Sequence, residues 1–318
     1  MAARNPRLGY LLVCLGASLF VVNAGVSRVV LRAGVDAATL TAVRVTGTAV
    51  VLVVVAAVVR RSALRPPAGR ELLVVVALGL TGVALLQWAY FVAIDRLTVG
   101  LALLLEYLAP VLVALWARFV QREPVRARLW PALLLAVVGL AVVAQVWAGL
   151  RVDPVGVAAG LGAAVCFSAY FLIGEHGVNR RDPLPVLLWA FVAAAVATNL
   201  VHPVTHLSAA TAGSTVSLLG GLDHLAAPVW FLVGWVVALG TVLPFGAELA
   251  ALQHLRATSV TTVAMLEPVG ANALGWAWFG ESLNGLQVLG GAAVVAGILL
   301  AQSARRHDPT PEQAAAIV

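Results

Sequence analysis

Residues 97–123 read LTVGLALLLEYLAPVLVALWARFVQRE, and residues 255–281 read LRATSVTTVAMLEPVGANALGWAWFGE. Laid on one another at an offset of 158, Leu97 meets Leu255, Leu108 meets Leu266, Pro110-Val111 meets Pro268-Val269 and Glu123 meets Glu281. Each stretch is an apolar run of about the ~20 residues a bilayer core requires. Each also holds a carboxylate in its interior, Glu106 or Glu267, and a proline that removes a helix hydrogen bond and can kink the helix.

The match extends outward. Val137 meets Val295, Gly139 meets Gly297, Gly82 meets Gly240 and Ala93 meets Ala251 at the same offset. Nearer the N-terminus the best offset is 146, where Leu15-Gly16-Ala17 meets Leu161-Gly162-Ala163 and Asp36 meets Asp182. The difference of 12 is absorbed by a polar segment at about 205–228, rich in Ser, Thr, Gly and His. Apolar sequences match one another cheaply, but Pro, Glu and Gly coinciding at one constant offset do not. The chain reads as a duplication: residues 1–150, residues 151–303, and a disordered cytoplasmic tail at 304–318.

Apolar residues make up 62% of the 318 and charged residues 11%, too few to cover a water-soluble surface. Spans marked by length and by the charges between them fall at about 8–27, 37–59, 71–94, 98–120 and 129–148, then 155–176, 184–203, 229–253, 257–280 and 284–303. An odd number of spans in each half inserts the second half upside down. The expected fold class is therefore all-α integral membrane: ten transmembrane helices as two inverted five-helix repeats. This architecture recurs in secondary transporters, whose substrate site lies near the membrane midplane where the repeats meet.

Every basic residue is an arginine, and the net charge is +6. Fifteen arginines fall on the side of the N-terminus and four (Arg28, Arg32, Arg96 and Arg151) on the other. The positive-inside rule then places both termini in the cytoplasm and the chain in the cytoplasmic (inner) membrane. Short clusters between apolar spans are topology signals rather than a phosphate-binding face, so nucleic acid is not an expected partner. The stretch Leu8–Val26 after Arg4 and Arg7 is longer than a signal-peptide core and reads as a retained first helix. Cys14 and Cys166 are isolated thiols within apolar segments. Trp130, Trp147, Trp230 and Trp278 near span ends read as interfacial anchors.

With this arrangement, the motifs Leu104-Leu105-Glu106-Tyr107-Leu108-Ala109-Pro110 with Glu123, and Ala264-Met265-Leu266-Glu267-Pro268-Val269 with Gly280-Glu281-Ser282, resemble the drug/metabolite transporter superfamily in its EamA-type branch. The resemblance covers about residues 8–303. It implies a secondary carrier that exports amino acids or other metabolites without ATP, and leaves the compound unspecified. The lack of a Walker A sequence agrees with that implication.

Ionisable side chains in lipid are costly and usually face a bundle interior. Four stand out: Arg44 in helix two, Glu106 in helix four, Glu248 in helix eight and Glu267 in helix nine. Glu267, close to mid-membrane, is the foremost candidate for binding a substrate amine or a proton. Arg44 shares a helix face with Thr41 and Thr48 and offers an anchor for a carboxylate; its alternative is to snorkel outward. Counted at 1.5 Å per residue, Arg44 and Glu106 lie about 10 and 12 Å from the outer end, so a pair between them is expected. Glu248 is within about two turns of the cytoplasmic end and could simply reach headgroups. Gln87 and Tyr90 share a face of helix three and, with Trp88, are expected to line the cavity. Asn23, Tyr170, Asn272 and Ser168 are further polar groups within spans, as apt for interhelical hydrogen bonds as for ligand contact. Pro110, Pro268 and Pro244 are the expected kinks and gates. Glu123 and Glu281 are expected to close their helices.

Enzyme chemistry finds no support. The histidines lie at span ends or in loops, His202 and His206 have Pro203 between them without an HExxH, and no serine elbow or paired-aspartate motif occurs. No metal and no cofactor is expected. The expected partners are a small-molecule substrate, the lipid bilayer and a proton as coupling ion, with the choice of monomer or homodimer open. The favoured substrates are amino acids or related zwitterions. Efflux of lipophilic cations or drugs is the alternative within transport, and a membrane-embedded enzyme or scramblase the alternative outside it.

Overall fold

The computed structural model describes residues 5–97, 99–122, 127–147, 153–178, 182–280 and 284–303. Glu123, Glu281 and the tail at 304–318 lie outside the described residues. The chain opens with α1 (Pro6–Arg32) and α2 (Ala37–Val59). A third rod follows, in which α3 (Arg70–Gly79) passes through a π-turn (Leu80–Leu85) into α4 (Leu86–Arg96). Next come α5 (Val99–Glu106), α6 (Ala109–Phe119), α7 (Leu129–Val143), α8 (Pro154–Val178) and α9 (Pro183–Val201). After a folded connection, α11 (Val229–Val237) runs through a second π-turn (Ala238–Val242) into α12 (Leu243–Ala251). The last helices are α13 (Ala257–Ala264), α14 (Leu266–Phe279) and α15 (Gly285–Ser303).

Among the described residues, six helical stretches are long and apolar enough to cross a membrane, and α7 and α15 are shorter apolar helices. Large apolar side chains such as Val58, Leu73, Leu134, Leu200 and Leu289 stand on the outside. Helices satisfy their own backbone polar groups, so such surfaces suit hydrocarbon. The chain is a multi-pass membrane protein.

The three prolines stand at the starts of helices. The expected fourth and ninth helices are interrupted rather than merely kinked. Pro110 has no N–H for the Glu106 carbonyl, and α5 ends at Glu106 with α6 beginning at Ala109. Pro268 likewise cannot serve the Ala264 carbonyl, and α13 ends there with Met265 between it and α14. Pro244 stands at the start of α12, directly after the second π-turn. The first π-turn contains no proline and was not foreseen. Thr81 Oγ1 donates to the Ala77 carbonyl at 2.6 Å there, and Thr241 Oγ1 to the Val236 carbonyl at 2.7 Å in the second.

The polar segment at 205–228 is a folded cap, not a loose loop. It comprises a 3-10 turn (Val204–His206), α10 (Ala209–Gly213) and an antiparallel hairpin of β1 (Thr215–Ser217) with β2 (Ala226–Pro228), Val216 facing Ala227. Leu207, Val216, Leu218 and Ala227 pack on a core formed by the end of α1, the start of α2 and α11. This hairpin is the exception to an otherwise helical fold among the described residues.

The helices pack in crossed sets. α1 lies against α11, α12 and α14, while α8 lies against α4, α5 and α6, and α2 runs beside α9. The most extensive seam joins α7 and α15. A Cβ on Gly139 would sit 2.7 Å from the Gly290 carbonyl oxygen, and one on Gly297 would sit 2.7 Å from that of Ala132. The two helices therefore run antiparallel and touch backbone to backbone, as small residues allow in membrane interiors.

Candidate functional site

The breaks in helices four and nine face one another. Tyr107, in the gap between α5 and α6, donates its hydroxyl to Oε2 of Glu267 at 2.8 Å. Glu267 stands in the first turn of α14, and its carboxyl group lies beside that of Glu248 on α12, each within electrostatic range of the other. Glu248 is 1% exposed. It can approach because α1 has a glycine opposite: a Cβ on Gly16 would lie 3.1 Å from Glu248 Cγ and 3.3 Å from the Pro244 carbonyl oxygen. One oxygen on each acid, Oε1 of Glu248 and Oε1 of Glu267, is buried with no hydrogen-bond partner among the described residues. A buried, unpaired acceptor is costly, and in native proteins it commonly marks a place where water or a ligand binds.

Aromatic rings wall the acid pair. Phe245 receives Phe20, Tyr170 and Phe191 edge-on at centroid distances of 5.2, 5.5 and 5.3 Å. Phe167 stands 5.8 Å from Tyr107 and 5.0 Å from Phe171. The Tyr170 hydroxyl points to the Phe245 carbonyl at 3.5 Å. Carboxyl oxygens bordered by π-faces form a setting that favours a cation, since both the negative charge and the ring quadrupole attract it.

The sequence candidates divide clearly. Glu267, Glu248 and Tyr170 come together at this centre, with Pro110, Pro268 and Pro244 at the helix starts around it. Glu106 lies near them, within electrostatic range of Tyr107 and Tyr90. Tyr90 and Gln87 are half-buried. Trp88, expected beside them, is 61% exposed and faces outward, because one residue along a helix turns the side chain by ~100°. Glu248 does not reach for headgroups: it is buried against α1. Arg44 and Glu106 form no ion pair, and Arg44 Nε has no partner among the described residues. Asn272 turns back to its own helix, donating to the Pro268 carbonyl at 2.8 Å. Asn23 is buried beside the second π-turn with Oδ1 unpartnered. Trp278 is not a lipid-facing anchor; it donates to the Leu218 carbonyl of the cap at 3.1 Å.

Sequence reasoning missed the roles of Tyr107, Phe20, Phe245 and Gly16. For Tyr107 a signal existed, since it sits beside Glu106 in the repeated motif, three residues before the proline. The rings and the glycine gave none without knowledge of which helices meet.

Comparison with known proteins agrees with this architecture. The threonine/homoserine exporter RhtA of Salmonella typhimurium is 29% identical over 72% of this chain and 70% of its own length. That of Escherichia coli is 30% identical over 66% of this chain and 65% of its own length. An uncharacterized transporter of Archaeoglobus fulgidus is 26% identical over 67% of this chain and 70% of its own. A solved crystal structure superposes with a TM-score of 0.72, covering 93% of this chain and 95% of that one at 19% identity, which shows a shared fold. The EamA-like transporter family matches residues 7–145 and again residues 154–302. The chain is thus a member of the EamA-like transporter family, within the drug/metabolite transporter superfamily.

Proposed function

We propose that this protein is a secondary carrier of the cytoplasmic membrane that exports amino acids or related zwitterions by alternating access. The observation that carries the reading is the linked group Tyr107–Glu267–Glu248 at the breaks of helices four and nine. Two RhtA relatives named as threonine/homoserine exporters support the substrate class.

In this reading the chain has ten transmembrane helices in two inverted halves, residues 1–150 and 151–303, with both termini in the cytoplasm. The reciprocal contacts support it: Gly139 against Gly290 and Gly297 against Ala132 exchange with one another under the 158-residue offset. So do the breaks after Glu106 and Ala264 and the π-turns around Gly82 and Gly240. The halves rock about the seam, and the interrupted helices open and close the centre.

In this reading the adjacent carboxyl groups of Glu248 and Glu267 share one proton, since two like charges so close and so buried do not both ionise. A substrate ammonium entering beside Glu267 takes the place of that proton, so loading one cargo releases the other. Tyr107 keeps Glu267 aimed at the centre, Glu248 supplies the second oxygen donor set, and Glu106 adds negative potential nearby. Exchange of proton for amine makes transport proton-coupled. The aromatic wall favours a second reading, efflux of lipophilic cations, in which the rings hold the cargo and no substrate carboxylate is required.

The test is counterflow of a labelled amino-acid pool in proteoliposomes across about pH 5.5–8. Glu267→Gln and Glu248→Gln are expected to abolish the pH dependence and most of the flux. Unchanged flux in both variants would falsify the assignment. Lipophilic cations competing where amino acids do not would select the second reading.

A further inference from the structure

We infer that Arg44, Thr48 and Asn23 form a binding site for a substrate carboxylate on the outer side of the acid pair, a deepening that rests on the export reading above. Three buried polar atoms in the outer half of the bundle lack partners among the described residues: Arg44 Nε, Thr48 Oγ1 and Asn23 Oδ1. Thr48 is fully buried and Asn23 is 5% exposed. Arg44 and Thr48 are one helical turn apart on α2 and so lie on one face.

The second π-turn packs against both α1 and α2, the helices that carry the three groups. On the α1 side, a Cβ on Gly240 would overlap Oδ1 of Asn23, so the amide rests directly on the turn. On the α2 side, a Cβ on Gly47 would sit 2.7 Å from Cγ2 of Val237, the residue that leads into the turn. π-turns inside α-helices often occur at functional sites. Here the turn replaces side-chain bulk with glycine where the polar groups of α1 and α2 converge.

The donor set selects the ligand. A guanidinium carries five N–H donors and no acceptor and a hydroxyl can donate, whereas Asn23, whose unpartnered Oδ1 only accepts, meets a carboxylate through its NH2 alone. Among the described residues no acid pairs with Arg44. A charged guanidinium in this setting is favourable only with an anion, and its planar fork matches a carboxylate. Asn23 and Gly16 share one face of α1 about 10 Å apart at 1.5 Å per residue. The carboxylate site is therefore displaced outward from Glu248, with Phe20 between them against Phe245. In an α-amino acid the ammonium and the carboxylate hang on one carbon, so the two sites are used in turn: Arg44 takes up the carboxylate as the substrate leaves Glu267 toward the outer side, and a cation without a carboxylate leaves Arg44 unanswered.

The experiment compares two labelled pools in proteoliposome counterflow: protein amino acids, and the amines produced from them by decarboxylation. In the unaltered protein, the amino-acid pool is expected to be taken up at a KM at least tenfold below that of the amines. Arg44→Gln is expected to raise the amino-acid KM about tenfold or more and leave the amine KM unchanged, with Thr48→Val moving it less in the same direction. Arg44→Lys, which keeps charge but not the fork, should fall between. An amino-acid KM unaffected by Arg44→Gln overturns the carboxylate site and leaves the export reading standing. An equal rise for both pools in Arg44→Gln and Thr48→Val also overturns it, since that is the mark of a packing role. Failure of the unaltered protein to take up amino acids at all overturns the export reading and this inference with it.

Discussion

His202, the residue that ends α9, places Nε2 3.9 Å from Oδ1 of Asp36, the residue that caps the start of α2. At the opposite ends of the same two helices, Arg60 ends α2 and pairs with Asp182, the cap of α9. Each helix thus receives a basic residue from its neighbour's C-terminus at its own N-terminal aspartate. Thr39 completes the His202 end, donating to Asp36 Oδ2 at 2.6 Å and standing 3.0 Å from His202 Nε2. The hydrogen bonds from Thr39, and secondarily the nearby His202, hold the Asp36 carboxyl below its ordinary 3.8. The ionised form therefore stabilises the fold above pH 3.8, and that contribution is lost as pH falls through the lowered value. Asp36→Ala is expected to cost about 1 kcal/mol through the lost cap, whereas Asp36→Asn keeps a capping oxygen and loses only the charge. Thermal unfolding in detergent at neutral pH should rank the wild type first, then Asp36→Asn, then Asp36→Ala. Below the lowered value the first two should converge.

The seam of α7 and α15 predicts an opposite effect for chemically identical changes. Gly139→Ala and Gly297→Ala each push a methyl group against backbone, with no flexible side chain to yield, and overpacking of this kind costs about 1–3 kcal/mol. Gly162→Ala, in α8, meets nothing within 4 Å and gains about 0.5–1 kcal/mol from the helix preference of alanine. Unfolding midpoints of the three variants should fall, fall and rise. A uniform response would mean the seam is not closed in the native protein.

Tyr107→Phe isolates the hydrogen bond to Glu267. The ring stays against Phe167, and Glu267 Oε2 loses its donor. A hydrogen bond to a charged group contributes about 1.5–3 kcal/mol, so if the bond positions Glu267 during transport, flux should fall roughly ten- to hundredfold. Protein yield and unfolding midpoint serve as controls. Equal losses in flux and in folded protein would make Tyr107 a packing residue only.

The helix interruptions were legible because they rest on residues whose chemistry is local. Pro110 and Pro268 cannot donate hydrogen bonds wherever they sit. Asp36 and Asp182, aligned at the 146-residue offset, cap α2 and α9, a role the alignment alone did not assign. What failed depended on direction around a helix or on a neighbour. Equal depth suggested that Arg44 meets Glu106, but depth does not fix which way either side chain points. Trp88 was misplaced for the same reason. Glu248 appeared close to headgroups when counted along α12, and only its neighbour Gly16 reveals that it is enclosed by α1. The π-turn at Leu80–Leu85 left no proline to read, and the cap at 204–228 is held by contacts with α1, α2, α11 and α14 rather than by local pattern.

That cap is fastened to the C-terminal end of α14 through one side chain. The Trp278 indole donates to the Leu218 carbonyl at 3.1 Å and lies on Gly25 of α1, where a Cβ would come within 2.6 Å of the ring. Phe279 stacks on it at 5.2 Å, and Arg28 stands 4.4 Å over the Phe279 ring. Gly220, at φ +54, brings the cap backbone so close to the Trp278 carbonyl that a Cβ would overlap it. Trp278→Phe keeps a ring and loses the N–H, about 1 kcal/mol or roughly fivefold in the detached population. Trp278→Ala loses the ring as well, about 3–5 kcal/mol and more than a hundredfold. Limited proteolysis of the purified protein should therefore cut within 204–228 slowest in the wild type, faster in Trp278→Phe and fastest in Trp278→Ala, with helical circular dichroism unchanged. Gly220→Ala should resemble Trp278→Ala, because it dislodges the same contact from the cap side. If all four are cut at one rate, the cap is held by its contacts with α1, α2 and α11 and not by the end of α14, and movement of α14 would leave it in place.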